Sequence, residues 1–206
     1  GDFNGDGYGD LVVGAVTTGD TNSGASFVVF GHRGDFHADV QLDGLDGTHG
    51  FRLTDNGPHE WSGRCVSAAG DVNADGFDDI LIGAPDAGHA NQDADGSVYV
   101  VFGTAQGMPA DVDLASLDGT NGIRIDGTDR EFAGSAVSQA GDLNGDGVDD
   151  LVIGADFAGR DYVIYGRVPT EAVTRIGGAA SQTIQGGRFA DTLKGLAGDD
   201  VLIVHN

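Results

Sequence analysis

Cysteine is all but missing from this chain. Cys65 stands alone among 206 residues, which excludes a disulfide scaffold; its match one repeat later is Ala136, so it reads as a small buried core position. Basic residues are scarce too, ten Lys and Arg against 33 Asp and Glu, for a net charge of −23. Phosphate recognition needs Lys and Arg, so nucleic acid is excluded as a partner class. No apolar run approaches the ~20 residues of a membrane-spanning helix, and no membrane span is expected. Of the acids only three are Glu and thirty are Asp; the shorter side chain suits turns and tight oxygen cages. The six His show no zinc spacing, and no nucleophile elbow, P-loop or dinucleotide fingerprint occurs, so no catalytic residues are assigned and the chain is expected not to be an enzyme. What is plentiful is glycine, 37 residues, beside 39% apolar content. That composition predicts a turn-dense, all-β protein with a substantial core.

One acidic segment is written three times, as Asp2-Phe3-Asn4-Gly5-Asp6-Gly7-Tyr8-Gly9-Asp10, Asp71-Val72-Asn73-Ala74-Asp75-Gly76-Phe77-Asp78-Asp79 and Asp142-Leu143-Asn144-Gly145-Asp146-Gly147-Val148-Asp149-Asp150. The copies start 69 and 71 residues apart, and a period of that size implies one structural unit per copy. Side-chain oxygens at positions 1, 3, 5 and 9, with Gly at position 6 for the sharp turn, suit a hard cation that takes six to eight oxygen ligands. Calcium is the expected ion. The predicted ligands are Asp2, Asn4, Asp6, Asp10 and the Tyr8 carbonyl; Asp71, Asn73, Asp75, Asp79 and the Phe77 carbonyl; and Asp142, Asn144, Asp146, Asp150 and the Val148 carbonyl. Asp78 and Asp149, at position 8 where copy one has Gly9, are expected to point outward.

Two rival readings fit less well. Acidic surface turns use the same residue types, but do not explain one residue class at every alternate position in three copies. An EF-hand carries Glu at position 12 between two helices, whereas position 12 here is Val13, Ile82 or Ile153. Those residues lie in short, β-branched runs bounded by Gly, which read as buried strands.

The repetition extends beyond the loops. Glu60-Trp61-Ser62-Gly63 recurs as Glu131-Phe132-Ala133-Gly134, and Phe27-Val28-Val29-Phe30-Gly31 as Tyr99-Val100-Val101-Phe102-Gly103 and Tyr162-Val163-Ile164-Tyr165-Gly166. A full period holds four short strands, near 64–68, 80–84, 97–102 and 122–126, which is the pattern of an antiparallel β-propeller blade. These residues resemble the FG-GAP repeats of integrin α-subunit propellers and of bacterial surface proteins: Phe102-Gly103 supplies one half of the name and Gly83-Ala84-Pro85 the other. The resemblance covers residues 1 to about 166 and implies a propeller with calcium loops on one face. It departs in holding about two and a half blades where the family builds seven, and in Asp156 replacing the Pro of Gly-Ala-Pro.

From Gly177 the period becomes nine, with Ile184, Leu193 and Leu202 at position 8 and Gln182, Asp191 and Asp200 at position 6. This resembles the haemolysin-type (RTX) calcium nonapeptide, which winds into a parallel β-roll. A plain Gly-rich tail is the rival, since the first copy lacks the Asp. The resemblance makes Asp191 and Asp200 further candidate calcium ligands, dependent on neighbouring turns. The expected organisation is thus a partial β-propeller of FG-GAP blades over 1–168, a connector or last blade strand over 169–176, and a truncated β-roll over 177–206. The motifs at both ends predict a piece of a longer polypeptide.

Function divides into two expectations. The integrin resemblance implies a secreted or cell-surface recognition or adhesion module, in which calcium is structural and the partner is an extracellular protein or glycan. The alternative is an accessory region of a large secreted enzyme or toxin whose catalytic domain lies elsewhere. The nonapeptides imply a bacterial type I exported parent. Arg33-Gly34-Asp35 spells the tripeptide that integrins bind, but the next unit has Thr104-Ala105-Gln106 there, and an Arg-Gly-Asp triplet is not improbable by chance at this Gly and Asp content.

Overall fold

Alternation of apolar and small residues in runs bounded by Gly produces strands almost throughout the computed structural model. It describes residues 1–16, 23–34, 39–55, 57, 60–89, 93–128, 130–168, 174–176, 179–181, 183–185, 192–194 and 201–203. Apart from two single-turn 3-10 segments, Leu42–Gly44 and Leu114–Ser116, the regular elements among them are strands. The protein is all-β.

The first unit contributes β1 (Leu11–Ala15), β2 (Ala25–Val29) and β3 (Gly50–Thr54), paired antiparallel in that order. The second contributes β4 (Cys65–Gly70), β5 (Asp79–Ala84), a small hairpin of β6 (Gly88–His89) and β7 (Asp93–Ala94), then β8 (Ser97–Val101), β9 (Asp111–Asp113) and β10 (Gly122–Asp126). Its blade runs β4-β5-β8-β10, antiparallel throughout. The third unit supplies β11 (Ala133–Gly141), β12 (Asp150–Ala155) and β13 (Arg160–Ile164).

The second unit thus shows the expected four antiparallel strands, and the first sheet holds a strand that was not expected. Its fourth strand is β9, which leaves its own unit and adds in parallel to β3, Arg52 opposite Asp111. Blades are therefore laced together by backbone pairing as well as by face packing.

The central blade is buried on both faces, and the period of two shows which side chain goes where. From β5, Ile80 and Ile82 pack with Phe3, Phe51 and Leu53 against the first sheet. Leu81, between them, packs with Val137, Leu151 and Ile153 of the third. Strand β8 does the same, with Tyr99 and Val101 on one side and Val98 and Val100 on the other. Each such side chain contributes about 1.5–3 kcal/mol on full burial. Close blade contact requires glycine at two equivalent points. A Cβ on Gly14 would lie 2.0 Å from the Gly63 carbonyl oxygen, and one on Gly83 2.1 Å from that of Gly134.

Cys65 is half-buried where full burial was expected, and it packs against the core shared by the second and third sheets. Its Sγ accepts the Val137 N–H at 3.3 Å across the interface of the second and third sheets.

Strands β14 (Thr174–Ile176), β15 (Thr183–Gln185), β16 (Thr192–Lys194) and β17 (Val201–Ile203) pair in parallel, β14 with β16 and β15 with β17. Partners such as Thr174 and Thr192 are 18 residues apart, two nonapeptides, so alternate repeats stack on the same side as in a β-roll. Residues 174–176 thus pair with the nonapeptide strands and not with a blade.

Candidate metal centres

Each Asp-rich loop is held by its own side chains in one repeated arrangement. The position-1 carboxylate accepts the N–H of positions 5 and 6: Asp6 and Gly7 on Asp2 at 3.0 and 2.9 Å, Asp75 and Gly76 on Asp71 at 2.9 and 2.8 Å, Asp146 and Gly147 on Asp142 at 3.0 and 2.8 Å. The position-5 carboxylate accepts the N–H of position 7, from Tyr8, Phe77 and Val148, at 2.8, 3.0 and 3.0 Å. Position 3 joins in two copies, where Asn4 and Asn144 accept the N–H of Asp6 and Asp146 at 3.0 and 2.9 Å. The turn requires left-handed backbone at position 6, and Gly7, Gly76 and Gly147 have φ of 90, 90 and 87°, a region where glycine is unstrained.

The position-9 Asp ties the loop to its blade. Its two oxygens bridge the N–H of position 2 and the N–H of the glycine that ends the third strand. Asp10 holds Phe3 and Gly31, both at 2.8 Å; Asp79 holds Val72 and Gly103 at 3.0 and 2.9 Å; Asp150 holds Leu143 and Gly166 at 2.8 and 2.9 Å. Sequence reasoning assigned these three glycines to a strand end only. Their recurrence directly after the same aromatic and β-branched run in all three units was the signal that they belong to the loop frame. The glycine is sterically required, because a Cβ on Gly103 would lie 2.5 Å from the Asp78 carbonyl oxygen and 2.7 Å from that of Phe3.

Asp78 and Asp149 do not simply point outward. Each reaches the preceding loop, where Asp78 accepts the Asp2 N–H at 2.7 Å and Asp149 the Asp71 N–H at 3.1 Å.

The donor set fits a divalent cation. Asp79 and Asp150 are fully buried. Burial pushes the Asp79 carboxyl well above the usual range, and the neighbouring charges of Asp75 and Asp71 add to this, opposed by the amides of Gly103 and Val72. Asp10 is raised in the same way, by burial and by Asp2 and Asp6. In the first two loops the carboxylate charges at positions 1 and 5 thus act against the one at position 9. In this structure their oxygens are turned onto backbone amides, and among the described residues no three carboxylates, imidazoles or thiols are drawn together on a common point. Asp142, in the most open loop, is instead lowered, chiefly by the Gly147 amide. Asp191 and Asp200 lie outside the described residues.

Known proteins bear out the motifs. The FG-GAP repeat family matches residues 66–101 and 133–173, and the RTX calcium-binding nonapeptide repeat matches residues 176–204. Phosphatidylinositol-glycan-specific phospholipase D of Bos taurus is 35% identical over 167 residues, 76% of this chain and 18% of that protein. Integrin alpha pat-2 of Caenorhabditis briggsae is 35% identical over 145 residues, 68% of this chain and 11% of the integrin. Integrin alpha-PS5 of Drosophila melanogaster is 30% identical over 171 residues, 79% of this chain and 15% of the integrin. The chain spans less than a fifth of the length of these curated relatives. With the blades, the repeated loops and the 18-residue parallel register all in place, this chain is an FG-GAP repeat protein of the integrin α type that also carries RTX nonapeptide repeats.

Proposed function

We propose that the chain is a calcium-stabilised, non-catalytic recognition module of an extracellular protein. The observation that carries this reading is the threefold recurrence of one carboxylate frame. Calcium in that frame would be held by the side chains of Asp2, Asn4, Asp6 and Asp10 with the Tyr8 carbonyl, and by the equivalent sets Asp71, Asn73, Asp75, Asp79 and Phe77, and Asp142, Asn144, Asp146, Asp150 and Val148. It would supply the positive charge that the converging carboxylates lack. Asp191 and Asp200 would add ligands in the nonapeptide segment. Its partner would be an extracellular protein or glycan, in keeping with the integrin relatives.

A second reading is an accessory region of a secreted enzyme, favoured by the similarity to a phospholipase D. A bacterial exported parent rests on the nonapeptides alone, since the three relatives above are animal proteins. In either case the three loops behave alike. Calorimetric titration of chelated protein with calcium should give about three comparable sites, and Asp75→Ala should remove one. Heat exchange absent from the titration, or unchanged in Asp75→Ala, would reduce the loops to acidic turns.

A further inference from the structure

Among the described residues, strand β10 has one open edge. It pairs with β8 on one side. Beside it lies a groove of about 940 Å³ lined by Ile123, Ile125, Phe102, Leu151, Ile164 and Arg167. The protein shows what closes such an edge, because the equivalent strand one unit earlier is β3. Gly50-Phe51-Arg52-Leu53 aligns with Gly122-Ile123-Arg124-Ile125. On β3 the edge is taken by β9, whose Ala110 carbonyl accepts the Arg52 N–H at 2.8 Å. Val112 and Leu114 then pack with Phe51 and Leu53, and all four are buried. Ile123 and Ile125 are only half-buried.

The chain's own candidate does not fit. Arg167 donates to the Val72 carbonyl at 2.9 Å as Thr104 does to that of Phe3, so the two units stay in register to that point. Asp111 lies eight residues after Gly103 and Thr174 eight after Gly166. Yet Thr174–Ile176 pairs with β16, and this alignment places Arg175 and Gly177 where β9 and its extension carry Val112 and Leu114. Neither residue can fill an apolar groove.

We propose that the β10 edge accepts an extended segment of a partner polypeptide, added in parallel as β9 is on β3. Main-chain hydrogen bonds would supply affinity and two apolar side chains, at alternate positions, would supply specificity. The flanking residues follow from the template. Arg124 stands where Arg52 faces Asp111, so the template places an acid first; Arg124 is already paired with Asp126 at 2.6 Å, and the incoming acid would share it. Asp126 stands where Thr54 faces Asp113, which disfavours an acid third. The preferred segment reads acidic, apolar, neutral, apolar.

This deepens the recognition reading and rests on it. Asn73 and Asp75 of the second loop line one end of the groove, but the two fail separately, since calcium titration is read without peptide and the peptide variants are compared at constant calcium. The probe is a fluorescent peptide with the sequence of residues 110–117 carrying Asp113→Thr, titrated with the full chain in calcium. Saturable binding is expected, at least tenfold weaker when the peptide's Val112 and Leu114 are both Asp, and likewise with Ile125→Lys in the chain. The peptide variants leave the protein untouched, so their result does not depend on folding. No saturable binding, or equal affinity for the double-Asp peptide, would overturn the proposal. Self-association that excess peptide does not reverse would assign the edge to a second copy instead. Peptide binding lost on Leu193→Pro, which breaks the β14–β16 pair, would assign it to Thr174–Ile176.

Discussion

The carboxylate of Asp78 accepts the backbone N–H of Asp2 at 2.7 Å, although 76 positions separate them. Asp149 repeats the contact on Asp71 at 3.1 Å. In each pair the carbonyl of the earlier residue accepts back, from the N–H of the later, at 3.3 Å. Position 8 of one loop therefore fixes position 1 of the loop before it. The acidic loops are linked from blade to blade.

Removing one link should be felt at the neighbouring site. Asp78→Ala leaves the Asp2 amide without its charged acceptor, at a cost of about 1–3 kcal/mol. In calorimetry the variant should weaken calcium binding at the first loop and leave the second, its own, unchanged. An effect confined to the second loop would show that Asp78 serves its own loop.

Gly103 should tolerate no side chain. An added Cβ meets the Asp78 and Phe3 carbonyl oxygens at 2.5 and 2.7 Å and the Phe77 Cβ at 2.7 Å, none of which is a flexible chain end. Gly103→Ala should destabilise by about 1–3 kcal/mol, read by urea unfolding. Gly44→Ala is the control, since its nearest neighbour is the Gln41 Cβ at 3.9 Å; it should stay within about 0.5 kcal/mol.

Local features of this fold were legible in the sequence, and long-range ones were not. Alternate oxygen donors around Gly76, followed by Asp79-Ile80-Leu81-Ile82, determine a loop and a buried strand because both depend on adjacent residues. The crossing of Asp111–Asp113 onto β3 depends on a sheet edge in another unit. Nothing in Asp-Val-Asp distinguishes that partner from its own blade. The role of Asp78 was missed for the same reason: its acceptor oxygens say nothing of which amide, 76 residues away, they meet.

Chelation should lower the melting temperature. A ligand that binds only the folded state stabilises it by about 2.7 kcal/mol at a hundredfold excess over Kd, and each kcal/mol moves the midpoint of a chain this long by about 2–4 °C. Calcium at millimolar concentration should restore the midpoint, while magnesium, which keeps its water in a tight octahedral shell, should restore it poorly. A melt indifferent to chelator would leave the carboxylate frames self-sufficient.

The last prediction concerns pH and lies away from the loops. The Tyr99 hydroxyl donates to Asp55, and Glu60 shares that pocket, its Oε2 buried without a protein partner. Burial, then the hydrogen bond to Asp55 and its charge, pushes Glu60 up to about 8. In the third unit the equivalent Glu131 is held directly by Tyr162 at 2.6 Å and Arg160 at 2.7 Å. A carboxyl raised on folding favours the native state while it is protonated. Its contribution is complete below the ordinary Glu range and is lost as pH rises through about 8. Glu60→Gln keeps the neutral shape and removes the titration. At pH 9 the variant should melt above the parent by about 2–4 °C, roughly 1 kcal/mol once partial exposure is discounted, and the difference should vanish at pH 5. A gap that is the same at both pH values would mean that Glu60 does not carry the shared proton.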